Sequence, residues 1–132
     1  MILIDTSVWI EFFRKGGMKN IKSKVAILIK TDQAAFTCPV FMELLSGARG
    51  TEEDFIIETF DVCLRIEFKP DWWGKAGRLE KKLRQNGLTI PRDDILIATV
   101  AIESHCLLYC RDKHFDLIRK TANQLLLENV RD

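Results

Sequence analysis

Four acidic side chains stand where an acid is either a helix cap or a ligand. Asp5 ends the apolar run Met1-Ile2-Leu3-Ile4, and Asp112 follows the apolar run Cys106–Cys110. Asp94 opens the apolar segment Ile95–Ile102, and Glu43 lies in the segment after Ala34–Thr37. Like charges drawn together repel, and a fold gains nothing from that unless a cation lies among them. Carboxylate oxygens completed by water suit magnesium or manganese, not zinc. An ion held that way bridges to phosphate oxygens and lowers the pKa of a bound water, so metal-assisted phosphodiester hydrolysis is the reaction class these residues suggest.

Each acid also has a plainer reading. Asp5 and Asp112 have the side chain of a helix N-cap, and Glu43 fits a solvated helix face. Asp93 and Asp94 are adjacent, and spacing alone does not choose which caps a helix and which faces a cleft. Their combined placement, rather than any one acid, carries the inference.

The other reactive residues say less. Four cysteines, at 38, 63, 106 and 110, form no CxxC pair, and the histidine spacing of a zinc site is missing. The cysteines are expected to be buried and reduced, and His105 and His114 to have surface or packing roles. From Arg14 to Lys30 six basic residues (Arg14, Lys15, Lys19, Lys22, Lys24, Lys30) occur without an acid. That strip is either phosphate-facing or a solvated helix face. Trp72-Trp73 either stacks on unpaired bases or packs the helix and a dimer contact.

The elements that must position the acids follow from pattern. Strands are expected at 1–4, 34–37, 64–68, 106–110 and 125–127, where short apolar or alternating runs end at turn residues. Helices are expected after Asp5, over about 19–30, after Pro39, over 52–61, from Pro70-Asp71 to about Gln85, after Pro91 and over 112–119. Gly16-Gly17, Gly47 with Gly50, and Asn86-Gly87 punctuate them. Phe41, Leu44, Leu45 and Ala48 form the expected buried stripe of their helix, with Glu43 away from its centre. Strands alternating with helices predict an α/β fold with a parallel sheet covered on both faces. In such sheets ligands bind beyond the carboxyl ends of the strands, where Asp5 and Asp112 fall.

At 132 residues, 47% hydrophobic and 30% charged, the chain reads as one globular domain spanning 1–132. No apolar stretch is long enough to span a bilayer, and the start lacks the basic region of a secretory signal, so a cytoplasmic protein is expected. The net charge of +1 neither demands nor excludes a polyanionic partner.

The chain resembles the PIN-domain nucleases, and more narrowly the VapC-type toxins of toxin–antitoxin modules. Met1-Ile2-Leu3-Ile4-Asp5-Thr6-Ser7-Val8-Trp9-Ile10 is similar to the family's first motif and Glu43-Leu44-Leu45-Ser46-Gly47-Ala48-Arg49 to its second. Ile90-Pro91-Arg92-Asp93-Asp94-Ile95-Leu96-Ile97-Ala98 is similar to its third, and Cys110-Arg111-Asp112-Lys113-His114-Phe115 to its fourth. The resemblance implies Asp5, Glu43, Asp94 and Asp112 as the catalytic, metal-binding acids, leaving Asp93 as a cap and Thr6 or Ser7 as polar support. It departs at Cys110, where the family often has Thr, and at His114, where a further acid often precedes Phe; Asp116 is a nearby acid with a weaker claim. It further implies a three-layer α/β/α sandwich with a mainly parallel sheet and magnesium- or manganese-dependent cleavage of RNA. Homodimers and a cognate antitoxin are implied as partners, and Arg14, Lys15 and Lys19 gain weight as RNA contacts. The competing readings are a catalytically silent PIN-like module that binds RNA or protein, and a PIN nuclease of RNA processing.

Overall fold

The computed structural model describes residues Met1–Arg131. The elements are β1 (Ile2–Ile4), α1 (Thr6–Phe13), α2 (Lys19–Lys30), β2 (Ala34–Thr37), α3 (Cys38–Gly47), α4 (Glu52–Asp61), β3 (Leu64–Ile66), α5 (Trp72–Gln85), α6 (Arg92–Glu103), β4 (Leu107–Cys110), α7 (Lys113–Thr121) and β5 (Leu127–Asn129). Every strand reaches the next through helix, and such crossovers return the chain to the same end of the sheet. All four strand pairings are accordingly parallel, in the order β3-β2-β1-β4-β5. Right-handed crossovers put α1–α4 against one face and α5–α7 against the other; α1 packs on α2 and α3, while α5 packs on α6 and α7. The expected α/β/α sandwich is present, and its sheet is wholly parallel.

Strands covered on both faces must be apolar on both, and β1, β2 and β4 carry Leu3, Ile4, Ala35, Phe36, Leu108 and Tyr109 at 2% exposure or less. Beside them Trp9 meets Phe60 edge to face at 4.8 Å, and Phe60 stacks on Phe36 at 4.2 Å. Each buried ring stabilises the fold by roughly 2–3 kcal/mol. Truncating Trp9, which has no exposed surface, is expected to cost about 3–5 kcal/mol. The α1–α2 turn closes on Gly17, where a Cβ would lie 1.8 Å from the Glu11 carbonyl oxygen. Gly87, at φ 78°, supplies the left-handed residue that ends α5.

Several expectations need correction. The third strand stops at Ile66 rather than Phe68, because this edge strand pairs only with β2 and Phe68 turns to pack on Trp72 and Trp73. The last strand runs 127–129 rather than 125–127. Leu125 is buried before it, and the register Leu108↔Leu127 starts the pairing two residues later. In α3 the deeply buried residues are Val40 and Leu44, with Phe41, Leu45 and Ala48 only half-buried. Cys106 and Cys110 are buried free thiols, but Cys38 is exposed and Cys63 half-buried, since both flank the sheet's open edge. Trp72 is buried, as a packing role requires, while Trp73 is 60% exposed. No helix among the described residues is long and apolar enough to cross a membrane.

Candidate active site

The strand order reverses at β1: the chain proceeds outward through β2 and β3, then returns to place β4 on β1's other side. Such a switch point opens a crevice beyond the strands' carboxyl ends. Asp5 is the first residue after β1, and its N–H donates to Tyr109 O at 2.9 Å, so it stands level with the end of β4. Asp112 follows β4 by two residues and caps α7, its Oδ1 accepting from His114 N at 2.9 Å. Helix α6 must deliver the chain to the start of β4, so its first turn, which holds Asp94, lies at the same edge. Glu43 reaches it from α3, where its Oε1 accepts from the Thr6 hydroxyl at 3.2 Å.

Asp5 is both cap and cluster member. Its Oδ2 accepts from Ser7 N at 3.1 Å, capping α1, and from the Ser7 hydroxyl at 2.5 Å. That hydroxyl also accepts from Arg111 N at 2.9 Å, tying β1's end to β4's. Asp5 is 3% exposed, and burial pushes its carboxyl above the usual carboxylate range; the Ser7 hydrogen bonds oppose the rise and the Asp112 charge adds to it. Asp94 is pushed up to about 6, first by burial and then by the charges of Asp5 and Asp112, with the His114 hydrogen bond pulling it down. Glu43 is raised by burial, held back by Thr6 and raised further by Asp93 and Asp5. Asp5, Glu43 and Asp94 therefore each feel at least one other of the expected acids.

The sequence pattern of the PIN domain matches residues 2–121, nearly the whole chain. The chain is 31% identical over 128 residues to ribonuclease VapC11 of Mycobacterium tuberculosis, covering 93% of this chain and 95% of that protein. This chain is a PIN-domain protein of the VapC ribonuclease family. Solved structures agree on the fold. VapBC2 from Rickettsia felis, bound to a DNA fragment from their promoter, is 25% identical, with a TM-score of 0.76 over 98% of both chains. FitAcB from Neisseria gonorrhoeae is 19% identical, with a TM-score of 0.79 over 98% of this chain and 97% of that one.

Within this PIN domain two family departures have structural consequences. His114, expected in a surface or packing role, instead lies inside the acidic cluster. Its Nδ1 is 2.9 Å from Asp94 Oδ2 and 3.2 Å from Asp112 Oδ1. A lone histidine without ligand spacing gives no signal; its place two residues after Asp112, where the family often has an acid, was the available clue. Cys110 lies buried beneath Asp5, and burial and the Asp5 charge hold its thiol protonated. Asp116 points elsewhere: its Oδ2 takes hydrogen bonds from Asn129 Nδ2 at 3.1 Å and Arg131 Nη2 at 2.8 Å. Asn129 also donates to Asp112 O at 2.7 Å, a support absent from the sequence reading because β5 was placed too early. Asp93 is not the cap of α6 either. The helix starts at Arg92 behind Pro91, and Asp93 sits within its first turn, close enough to Glu43 to raise it.

The PIN domain's basic strip is divided. Arg14 and Lys15 line a cleft that begins at Thr6 and Glu43 and continues between Phe13 and Ile56. Arg14 also pairs with the buried Glu11 at 2.7 Å. Lys19 lies outside that lining, exposed at the start of α2. Lys22 donates to the carbonyls of Phe12 and Arg14, closing the end of α1, and Lys24 pairs with Glu128 above the Tyr109 ring. Those two lysines are committed to the fold rather than to a ligand.

Proposed function

We propose that this chain, acting as one nuclease domain, is the endoribonuclease toxin of a toxin–antitoxin module and cuts RNA phosphodiester bonds with a divalent ion, Mg2+ or Mn2+. The observation that carries this reading is the convergence of Asp5, Asp94 and Asp112, partly or wholly buried, at the switch point, where Asp94 and Asp112 come within 2.9 and 3.2 Å of the same His114 nitrogen. The donor set fits such an ion, since Asp94 and Asp112 offer carboxylate oxygens at ligand spacing around the His114 ring and Asp5 adds a carboxylate close enough to raise Asp94. Asp5, Asp94 and Asp112 would hold the ion with Glu43 at the side. When bound, the ion supplies Lewis-acid polarisation of phosphate oxygens and of water.

The protein's own contribution is positioning. Ser7 fixes Asp5 through two hydrogen bonds, and Thr6 fixes Glu43. Arg14 and Lys15 face the cleft beside Glu43 and would take RNA phosphates there, with Lys19 a more peripheral contact. The same cleft has apolar walls from Ile10, Phe13 and Ile56, suited to an antitoxin segment that reaches Glu43. The similarity to VapC ribonucleases and to a toxin solved as VapBC supports an antitoxin partner, and a homodimer is expected with it. The complete set of acids weighs against a silent binding module.

The test is expression of the chain and of Asp94→Asn without an antitoxin, with growth followed and new RNA ends mapped. The expected result is growth arrest and discrete new ends for the unaltered chain alone. Equal arrest by Asp94→Asn would overturn the proposal.

A further inference from the structure

We propose that His114 is itself a metal ligand, making this a mixed nitrogen–oxygen centre that favours first-row transition ions over Mg2+. The inference rests on the metal-centre reading above and deepens it. One ligand atom each from Asp94, Asp112 and His114 all lie within 4.8 Å of one another. The imidazole Nδ1 is 2.9 Å from Asp94 Oδ2 and 3.2 Å from Asp112 Oδ1. Two ligands at right angles on an octahedral ion with ~2.1 Å bonds stand ~3 Å apart. The nitrogen is thus spaced from both carboxylates as a third ligand would be.

Its position is secured by the fold. His114 lies in the first turn of α7, and its N–H donates to Asp112 Oδ1, so the cap that fixes Asp112 also fixes the histidine. The ring is 28% exposed, and its Nδ1 edge faces the acids. His114 Nδ1 shares a hydrogen bond with Asp94 Oδ2, the donor being set by the tautomer; as a metal ligand Nδ1 would offer its lone pair, with the ring's hydrogen on Nε2. Mg2+ takes oxygen ligands and gains little from imidazole, whereas first-row transition ions accept it readily. Replacing an acid by histidine also removes one negative charge, which weakens the hold on a hard ion and leaves the nitrogen to set the preference.

Metal-stripped protein would be loaded with Mn2+ and examined by electron spin-echo envelope modulation, with Mg2+ competition measured in parallel for the unaltered chain, His114→Asp and Asp94→Asn. The expected result is nitrogen modulation from a directly bound imidazole in the unaltered chain and none in His114→Asp. The ratio of Mn2+ to Mg2+ affinity is expected to fall in His114→Asp, because an oxygen ligand replaces the nitrogen that favours the transition ion. Mn2+ bound without nitrogen modulation, or an unchanged ratio in His114→Asp, overturns the inference and leaves the nuclease proposal standing, with His114 a hydrogen-bond bridge only. Failure of the unaltered chain to bind either ion overturns both.

Discussion

The Ser7 hydroxyl donates to Asp5 Oδ2 at 2.5 Å, and through its second bond, accepted from Arg111 N, it joins the ends of the two central strands. A buried carboxylate depends on such donors, because nothing else replaces the water it has lost. Ser7→Ala is expected to destabilise the protein by about 1.5–3 kcal/mol, the range for a hydrogen bond to a charged group. It should also raise the Asp5 carboxyl further, since the Ser7 hydroxyl makes the largest contribution among the bonds that hold it down. Urea unfolding and RNA cleavage assays check both effects, and Ser7→Thr, which keeps the hydroxyl, should restore them.

Asp5 combines two jobs that substitutions can separate. Asn accepts a hydrogen bond at an N-cap as well as Asp does, so Asp5→Asn keeps α1 capped. It also removes a buried charge that repels Asp94 and Asp112, and the metal-free protein is expected to become more stable while cleavage is lost. Asp5→Ala loses the cap as well and should unfold about 0.5–2 kcal/mol more easily than Asp5→Asn. Paired urea curves measure the difference.

The Asp94 carboxyl, pushed up from 3.8 to about 6, sets a pH dependence whose sign is fixed. Between those values the folded state binds a proton that the unfolded state has released, so metal-free stability falls as pH rises through this window. Metal binding has the opposite trend, because an ion needs the carboxylate and its affinity should climb as pH rises through about 6. Asp94→Asn should flatten the stability slope, and thermal unfolding with and without Mn2+ across this range reads both trends.

Much of this was legible from residue pattern. The helix Lys19–Lys30 and the strand Ala34–Thr37 carry clear periods and clean breaks, and both occur as expected. That four acids could meet at one sheet edge followed from strand alternation plus the crevice rule, while the choice of Asp94 over Asp93 came from the family resemblance. What pattern could not supply was pairing information. An apolar run at 125–127 looks like a strand, but the register against β4 decides which residues pair, and it selects Leu127–Asn129. His114 was missed for a related reason: its partners Asp94 and Asp112 are twenty and two residues away, and only the folded edge makes them neighbours. Asp93 failed as a cap because Pro91 starts the helix before it.

The two acids of the fourth motif region should separate cleanly. Asp116 is held by Asn129 and Arg131, so Asp116→Asn should leave cleavage close to that of the unaltered chain and lower stability modestly. Asp112→Asn should abolish cleavage while retaining the α7 cap, since its amide oxygen still accepts from His114 N. Rates on one RNA substrate, with circular dichroism as the folding control, compare them.

The central claim is that the acids at the switch point act by holding a divalent ion. Purified protein would be stripped with EDTA, and cleavage of a defined RNA followed as Mn2+ or Mg2+ is added back, beside Asp94→Asn. The expected result is no cleavage in EDTA, recovery that saturates with added ion, and none for Asp94→Asn at any concentration. Cleavage that persists in EDTA, or full metal-stimulated cleavage by Asp94→Asn, would contradict the assignment.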